Sequence, residues 1–239
     1  MSFSYSGEDK LLSLLLPCPT GFYVDVGAYH PIVGSNTYKL YLQGWRGLTI
    51  EPCHDNARLF EQLRPRDRHL TIGIAAESSM LTYHRFPYAE LNTFDPKSAE
   101  VVAWTEGVTE VATESVLCRP LSEVLDQYAP GRHVDLLSID AEGLDLVVLQ
   151  SLDWQRQRPT AICVEDSAAY HLGALGKPQC SAIRAFLHMR DYLLVSQALV
   201  SFVYVDRHAI GQSGPAHGFR INDSWVEWLA RLGSIEDGG

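Results

Sequence analysis

The sequence predicts an α/β protein built on an open, mostly parallel sheet of seven strands, and three observations carry that expectation. Short apolar runs alternate with stretches of helical periodicity, the pattern of successive βαβ units. The first run, Phe22–Val26, leads into Gly27, and the second ends in one acid, Glu51, 26 positions after Asp25. The last two runs are separated only by Gln197-Ala-Leu199, too short for a crossover helix, so they are expected to form an antiparallel hairpin.

Along the chain, residues 1–20 form an N-terminal helical segment in which Glu8 and Asp9 precede the apolar run Leu11–Leu16, placing a helix at Asp9–Leu16. Strand Phe22–Val26 is followed by a helix at Ser35–Gln43. Trp45, in Gln43-Gly-Trp-Arg-Gly47, is expected to pack in the core at the entry to strand Gly47–Ile50. Helix Asp55–Leu63 then runs into Arg64-Pro-Arg-Asp-Arg68, read as a solvated turn before strand His69–Ile74. Residues 78–117 break the rhythm, with a strand-like Met80–Phe86, a turn at Asn92-Thr-Phe-Asp95, a helix at Asp95–Thr105 and a β-like Val108–Leu117. They are expected to be an insertion between the third and fourth main strands, placed to cover a substrate, or an edge hairpin. The rhythm resumes with helix Pro120–Gln127, strand Val134–Ile139, helix Leu144–Gln150 and strand Thr160–Val164. A Ser167–Pro178 loop follows, Lys177-Pro-Gln179 opens helix Gln179–Arg190, and Tyr192–Ser196 and Val200–Val205 form the hairpin.

At 239 residues and 46% hydrophobic content the chain is read as one domain, 1–239, with a single substantial core. The N-terminus lacks the basic region and longer apolar stretch of an export signal, and no run approaches the ~20 apolar residues needed to cross a bilayer. Five cysteines without C-x-x-C spacing point to reduced thiols, so the expected location is cytoplasmic. A net charge of −10 argues against nucleic acid as a partner and favours a neutral small molecule or glycan. Trp225-Val-Glu-Trp-Leu229 is open as a packed helix or a homo-oligomer contact.

The first two strand ends point to a ribose-bearing cofactor, because Gly27 permits close approach and a carboxylate at Glu51 can accept from both ribose hydroxyls. A dinucleotide would call for G-x-G-x-x-G around its pyrophosphate, and only Gly27 and Gly34 are present. A nucleoside without phosphates, S-adenosylmethionine, fits better, with Asp25 near its amino-acid end and Glu51 on its ribose. Ala75, just past the third strand, is placed in the same cofactor set.

The fourth and fifth strands end in Asp140-Ala-Glu-Gly143 and Glu165-Asp166. Carboxylates converging at adjacent strand ends repel unless a cation joins them, and oxygen-only ligands suit Mg2+. Asp140, Glu165 and Asp166 are therefore expected to hold the metal, with Glu142 as a fourth ligand, a base or simply an acid favouring the helix N-terminus. The competing role for Asp140 is a helix cap, with Glu165 merely solvated. His30 and His171, near the first and fifth strand ends, are the candidate bases.

Together these segments resemble the FkbM-type methyltransferases. The resemblance rests on Val24-Asp-Val-Gly-Ala28, His30-Pro31, Ser35-Asn-Thr-Tyr38, Gly44-Trp-Arg-Gly47 and Ile50-Glu-Pro52, then Leu137-Ser-Ile-Asp-Ala-Glu-Gly-Leu-Asp145, Val148-Leu149, Asp153-Trp154, Arg158-Pro159 and Val164-Glu165, spanning roughly residues 4 to 206. It implies a class I methyltransferase, Rossmann-like fold and an S-adenosylmethionine-dependent O-methyltransferase acting on a sugar or natural-product hydroxyl. It also implies that Asp25, Gly27, Ser35, Asn36 and Glu51 surround the cofactor, and that Asp140, Glu165 and Asp166 hold a divalent metal as in some relatives. The early S-Q-x-G-E-D element reads Ser4-Tyr-Ser-Gly-Glu-Asp9 here, with Tyr5 in place of Gln. Three rivals remain. One is a metal-independent methyltransferase using His30 or His171. The others are a non-catalytic cofactor-binding scaffold and a Rossmann-type oxidoreductase.

Overall fold

The structure, a computed structural model, describes residues 1–175, 179 and 181–210. Its main sheet comprises β1 (Phe22–Val26), β2 (Arg46–Ile50), β3 (Arg68–Leu70), β7 (Leu136–Ile139), β8 (Ala161–Glu165), β9 (Tyr192–Ala198) and β10 (Ser201–Asp206). The order is β3-β2-β1-β7-β8-β10-β9. The first five strands of that order pair in parallel, and β10 runs antiparallel to both β8 and β9. Successive connections leave β1 toward β2 on one side, and the chain later returns to β7 on the other. The order therefore reverses between β1 and β7, where open α/β sheets bind ligands at their carboxyl ends.

Because the central strands are buried on both faces, they read as continuous apolar runs rather than alternating ones. All five residues of β1 are buried. The pleat sends Phe22, Val24 and Val26 to one core, shared with α5 (Leu121–Tyr128), α6 (Asp145–Gln150) and α8 (Ala182–His188). Tyr23 goes to the other core, with α1 (Glu8–Leu15), α2 (Tyr38–Leu42) and Trp45. Trp45 is fully buried, and its Nε1 donates to the Cys18 carbonyl at 2.8 Å.

Between β3 and β7 lies a second sheet, β4-β6-β5, made of β4 (Gly73–Ile74), β5 (Ser79–Arg85) and β6 (Ala112–Arg119), with α4 (Pro96–Thr105) in the β5–β6 connection. The single strand expected at His69–Ile74 is thus two strands in two sheets. The crossing point is tight, since a Cβ on Gly73 would lie 2.5 Å from Cys118 Sγ and 2.7 Å from the Phe94 ring.

Three other expectations are corrected. The Arg64–Arg68 turn is not solvated throughout, because Arg64 is 1% exposed and its Nε donates to Asp67 at 2.7 Å. The segment read as a loop after β8 opens with helix α7 (Ser167–Ala174), capped by Asp166 through Ala169 N–H at 3.0 Å. α8 begins at Ala182 rather than Gln179, with Ser181 Oγ accepting from Arg184 N–H at 3.0 Å. Lys177, Pro178, Cys180 and the Trp225–Leu229 motif lie outside the described residues. No described helix is long and apolar enough to cross a membrane.

Candidate active site

At the carboxyl ends of β1, β2, β7 and β8 the chain encloses a cavity of about 280 Å3. Six carboxylates line it (Asp25, Glu51, Glu90, Asp140, Glu142 and Glu165), and no Lys, Arg or His does among the described residues. A site of that charge favours a cationic ligand.

Of the expected cofactor set, Asp25, Gly27, Ser35, Asn36 and Glu51 line the cavity. Ala75 does not. Its N–H donates to the Arg119 carbonyl at 3.1 Å in the second sheet, and Ile72, Gly73 and Ile74 line the wall instead. The reason is the break after β3, which carries the chain away before Ala75 is reached.

Gly27 has φ +76°, and a Cβ there would fall 1.6 Å from the Asp140 carbonyl oxygen. The ends of β1 and β7 therefore touch backbone to backbone, with Asp140 N–H donating to Val26 at 2.9 Å. Glu51, 6% exposed, accepts from Cys53 N–H at 2.8 Å, Tyr29 N–H at 2.9 Å and Tyr83 Oη at 3.3 Å. Burial pushes its carboxyl above the usual range, and those donors pull it back. Asp25 is also raised by burial, opposed by the Arg64 charge and by a hydrogen bond from Thr37 Oγ1.

On the other side, oxygens of Asp140, Glu142 and Glu165 all lie within 4.8 Å of one another. Asp140 opens to water inside the cavity and is enclosed by protein elsewhere. Its carboxyl is held well above the usual range by that enclosure, then by the neighbouring Glu165 and Glu142 charges. Glu142 is pushed up to about 8, by burial first and by Glu165 next. Asp145 is pushed up to about 7, again by burial and then Glu165, although its carboxylate accepts from Ala141 N–H at 3.0 Å and Gly143 N–H at 3.2 Å.

Those two bonds shape the loop that carries the cluster. Glu142 takes φ +47°, a left-handed conformation that costs a non-glycine residue on the order of 1 kcal/mol. Asp145 holds the loop from below, and Thr93 Oγ1, from the β5–β6 connection, donates to the Glu142 carbonyl at 2.7 Å. Local strain at a residue lining a cavity is thereby fixed from both sides.

Asp166, expected as a metal ligand, is not in the cluster. As Glu165's neighbour it points the other way across the pleat. It is 2% exposed and accepts from Ala169 N–H and Ser181 Oγ. Neither candidate histidine lines the cavity. His30 Nδ1 accepts from Ile32 and Val33 N–H at 3.1 and 3.0 Å, and burial lowers the pKa of the ring. His171 Nδ1 donates to the Ser167 carbonyl at 2.6 Å, within its own helix.

Glu90, Asn92 and Thr93 reach the cavity from the β5–β6 connection, within the segment expected to cover a substrate. The sequence singled out none of them as a site residue, because their proximity depends on how the second sheet docks. Tyr5 also lines it, and this one had a signal in the Ser4–Asp9 element. Asp9 accepts from Phe3 N–H at 2.9 Å and Ser4 Oγ at 2.9 Å, while Gly34 N–H donates to Phe3 at 2.9 Å. The N-terminal strand of chain is thereby strapped across the β1–α2 loop.

The FkbM methyltransferase domain model matches residues 25–197, which span β1 to β9. No curated protein matches the chain. Among solved structures it is similar to the methyltransferase FkbM from Methylobacillus flagellatus KT, at 15% identity and TM-score 0.46, covering 78% of this chain and 44% of that one. It is also similar to a candidate O-methyltransferase from Klebsiella pneumoniae, at 15% identity and TM-score 0.40, covering 83% and 78%. The chain thus spans less than half the length of the first of these structures. With the family match covering every strand that shapes the cavity, the chain belongs to the FkbM methyltransferase family.

Proposed function

We propose that this chain transfers a methyl group from S-adenosylmethionine to a hydroxyl of a sugar or natural product, assisted by a divalent cation. The observation that carries the reading is the meeting of two kinds of strand-end acid in one cavity. Asp25 and Glu51 are hydrogen-bonded and rigid, whereas Asp140, Glu142 and Glu165 face one another within 4.8 Å.

The residues present fit both groups. Gly27, Ser35, Asn36 and Glu51 would hold the nucleoside, with the negative wall at Asp25 suited to the cationic amino-acid end. The all-oxygen trio suits a hard ion such as Mg2+, and mutual repulsion is the force that would favour its capture. When bound, S-adenosylmethionine supplies an already activated methyl group and the cation supplies a Lewis acid. The chain's own residues then have two tasks. Asp140, Glu142 and Glu165 would hold the cation and orient the acceptor hydroxyl, and in the absence of a cation Glu142 is raised to about 8, by burial and then by Glu165. A second reading follows from the same value: without any cation, Glu142 serves as base in place of His30 or His171.

Calorimetric titration with S-adenosylmethionine, with and without Mg2+ and with EDTA, tests the proposal. Micromolar donor binding together with chelator-sensitive turnover of a hydroxylated acceptor is expected. Chelator-insensitive turnover selects the second reading, and absence of donor binding by folded protein overturns both.

A further inference from the structure

The residue that stands apart from the site yet is bonded to the loop beside it, at Pro31, Ser35 and Thr37, is Arg64. It follows α3 (Ala57–Leu63) and is 1% exposed. Its guanidinium is fully engaged. Nε donates to Asp67 at 2.7 Å, and Nη2 donates to Tyr23 Oη and Thr37 Oγ1, each at 2.8 Å. Nη1 reaches Ser35 Oγ at 3.2 Å and the Pro31 carbonyl at 3.4 Å. The rings of Tyr23, Tyr41 and Phe60 lie 5.3 to 5.7 Å from its centre.

Three of these partners, Pro31, Ser35 and Thr37, belong to the β1–α2 loop that forms the cavity floor. Thr37 Oγ1 passes the contact on, since it accepts from Arg64 and donates to Asp25. One buried cation therefore lies between two buried acids, Asp67 directly and Asp25 through a hydroxyl. A charge in this position does more than fill space. Arginine presents a rigid planar fork, so its partners are fixed in direction as well as distance.

We infer that Arg64 is a positioning residue for the methyl donor, acting through Thr37 and Ser35 to hold Asp25 and the β1–α2 loop in their ligand-binding arrangement. The inference rests on the donor-binding reading above. It assigns to a residue outside the cavity a specific effect on donor affinity and none on the cation site at Asp140.

Thr37→Val is the informative variant, because it breaks the relay while leaving Arg64 paired with Asp67. Calorimetry on wild type, Thr37→Val, Thr37→Ser and Arg64→Lys measures S-adenosylmethionine and Mg2+ affinity on the same samples, with Tm recorded for each. Thr37→Val is expected to weaken the donor roughly tenfold, the loss of one hydrogen bond to a charged group. Mg2+ affinity should stay within twofold, and Thr37→Ser, which keeps the hydroxyl, should recover donor affinity. Arg64→Lys should weaken the donor in the same direction by loss of the fork. Wild-type donor affinity in Thr37→Val overturns the inference, as does an equal loss in Thr37→Ser. A fall in Tm with unchanged affinities assigns Arg64 to packing alone and also overturns it. Wild-type protein that binds Mg2+ but no S-adenosylmethionine removes the reading on which the inference stands.

Discussion

The two halves of the cavity hold acids under opposite conditions. At the ends of β1 and β2, Asp25 and Glu51 are nearly sealed from solvent, and each is met by donors from hydroxyls or backbone N–H groups. At the ends of β7 and β8, Asp140, Glu142 and Glu165 meet mainly one another. The first half has already spent its electrostatics on its own protein and is rigid, as suits recognition of a fixed shape. The second retains unrelieved repulsion, which a proton or a cation removes. Burial and the identity of the nearest neighbour both distinguish the halves, since Asp25 and Glu51 are buried whereas Asp140 is exposed and Glu142 and Glu165 are half-buried.

Gly27 joins them, and replacing it should break both. With φ +76° and only 1.6 Å from a Cβ position to the Asp140 oxygen, Gly27→Ala must displace β1 from β7. A loss of about 4 kcal/mol is expected in denaturant unfolding, combining steric overlap and left-handed strain. A loss under about 1 kcal/mol would mean the strand ends part easily.

Asp140→Asn should separate the halves. Turnover is expected to fall roughly 100-fold or more, while donor affinity changes by less than about threefold. Equal loss of both would show that the halves are one unit.

The pH dependence of stability should expose the crowded half. Glu142 rises from 4.5 in the unfolded reference to about 8 when folded, and Asp145 from 3.8 to about 7. Raised carboxyls favour the folded state while protonated, so that stability is complete below the unfolded values and is lost as pH rises through the folded ones. The Tm of EDTA-treated protein should thus decline between about pH 4.5 and 8, and Mg2+ should raise it most at the alkaline end. A Tm unaffected by Mg2+ at pH 8 would argue for the cation-free reading.

The smallest effect is expected on the settled side. Tyr83→Phe removes the 3.3 Å bond to Glu51, the longest of its three, and should weaken the donor by about two- to threefold with Mg2+ affinity unchanged.

Much of this was legible in the primary structure. β1, β2, β7 and β8 fall within two residues of the expected positions, since strands buried on both faces read as mostly apolar runs. Asp25, Gly27, Glu51, Asp140 and Glu165 were placed at the cavity by strand ends alone. Where the reading failed, a contact distant in sequence had decided the matter. His69–Ile74 looked like one strand because Leu70, Ile72 and Ile74 alternate along it, but Gly73 pairs with Cys118 in a second sheet. Asp166 looked equivalent to Glu165, yet the pleat turned it toward Ser181. Arg64 looked like a surface charge because its partners Tyr23, Ser35 and Thr37 lie 27 to 41 positions away.

The chain by itself determined the sheet's central strands, the acids at their ends and the family, because these depend on local apolar runs and short spacings. Tertiary structure alone decided which acids are satisfied and which compete. It also decided that the histidines stay outside the cavity, and that a buried guanidinium underlies Asp25. Those outcomes depend on direction and distance between side chains of separate elements, which one-dimensional order does not specify.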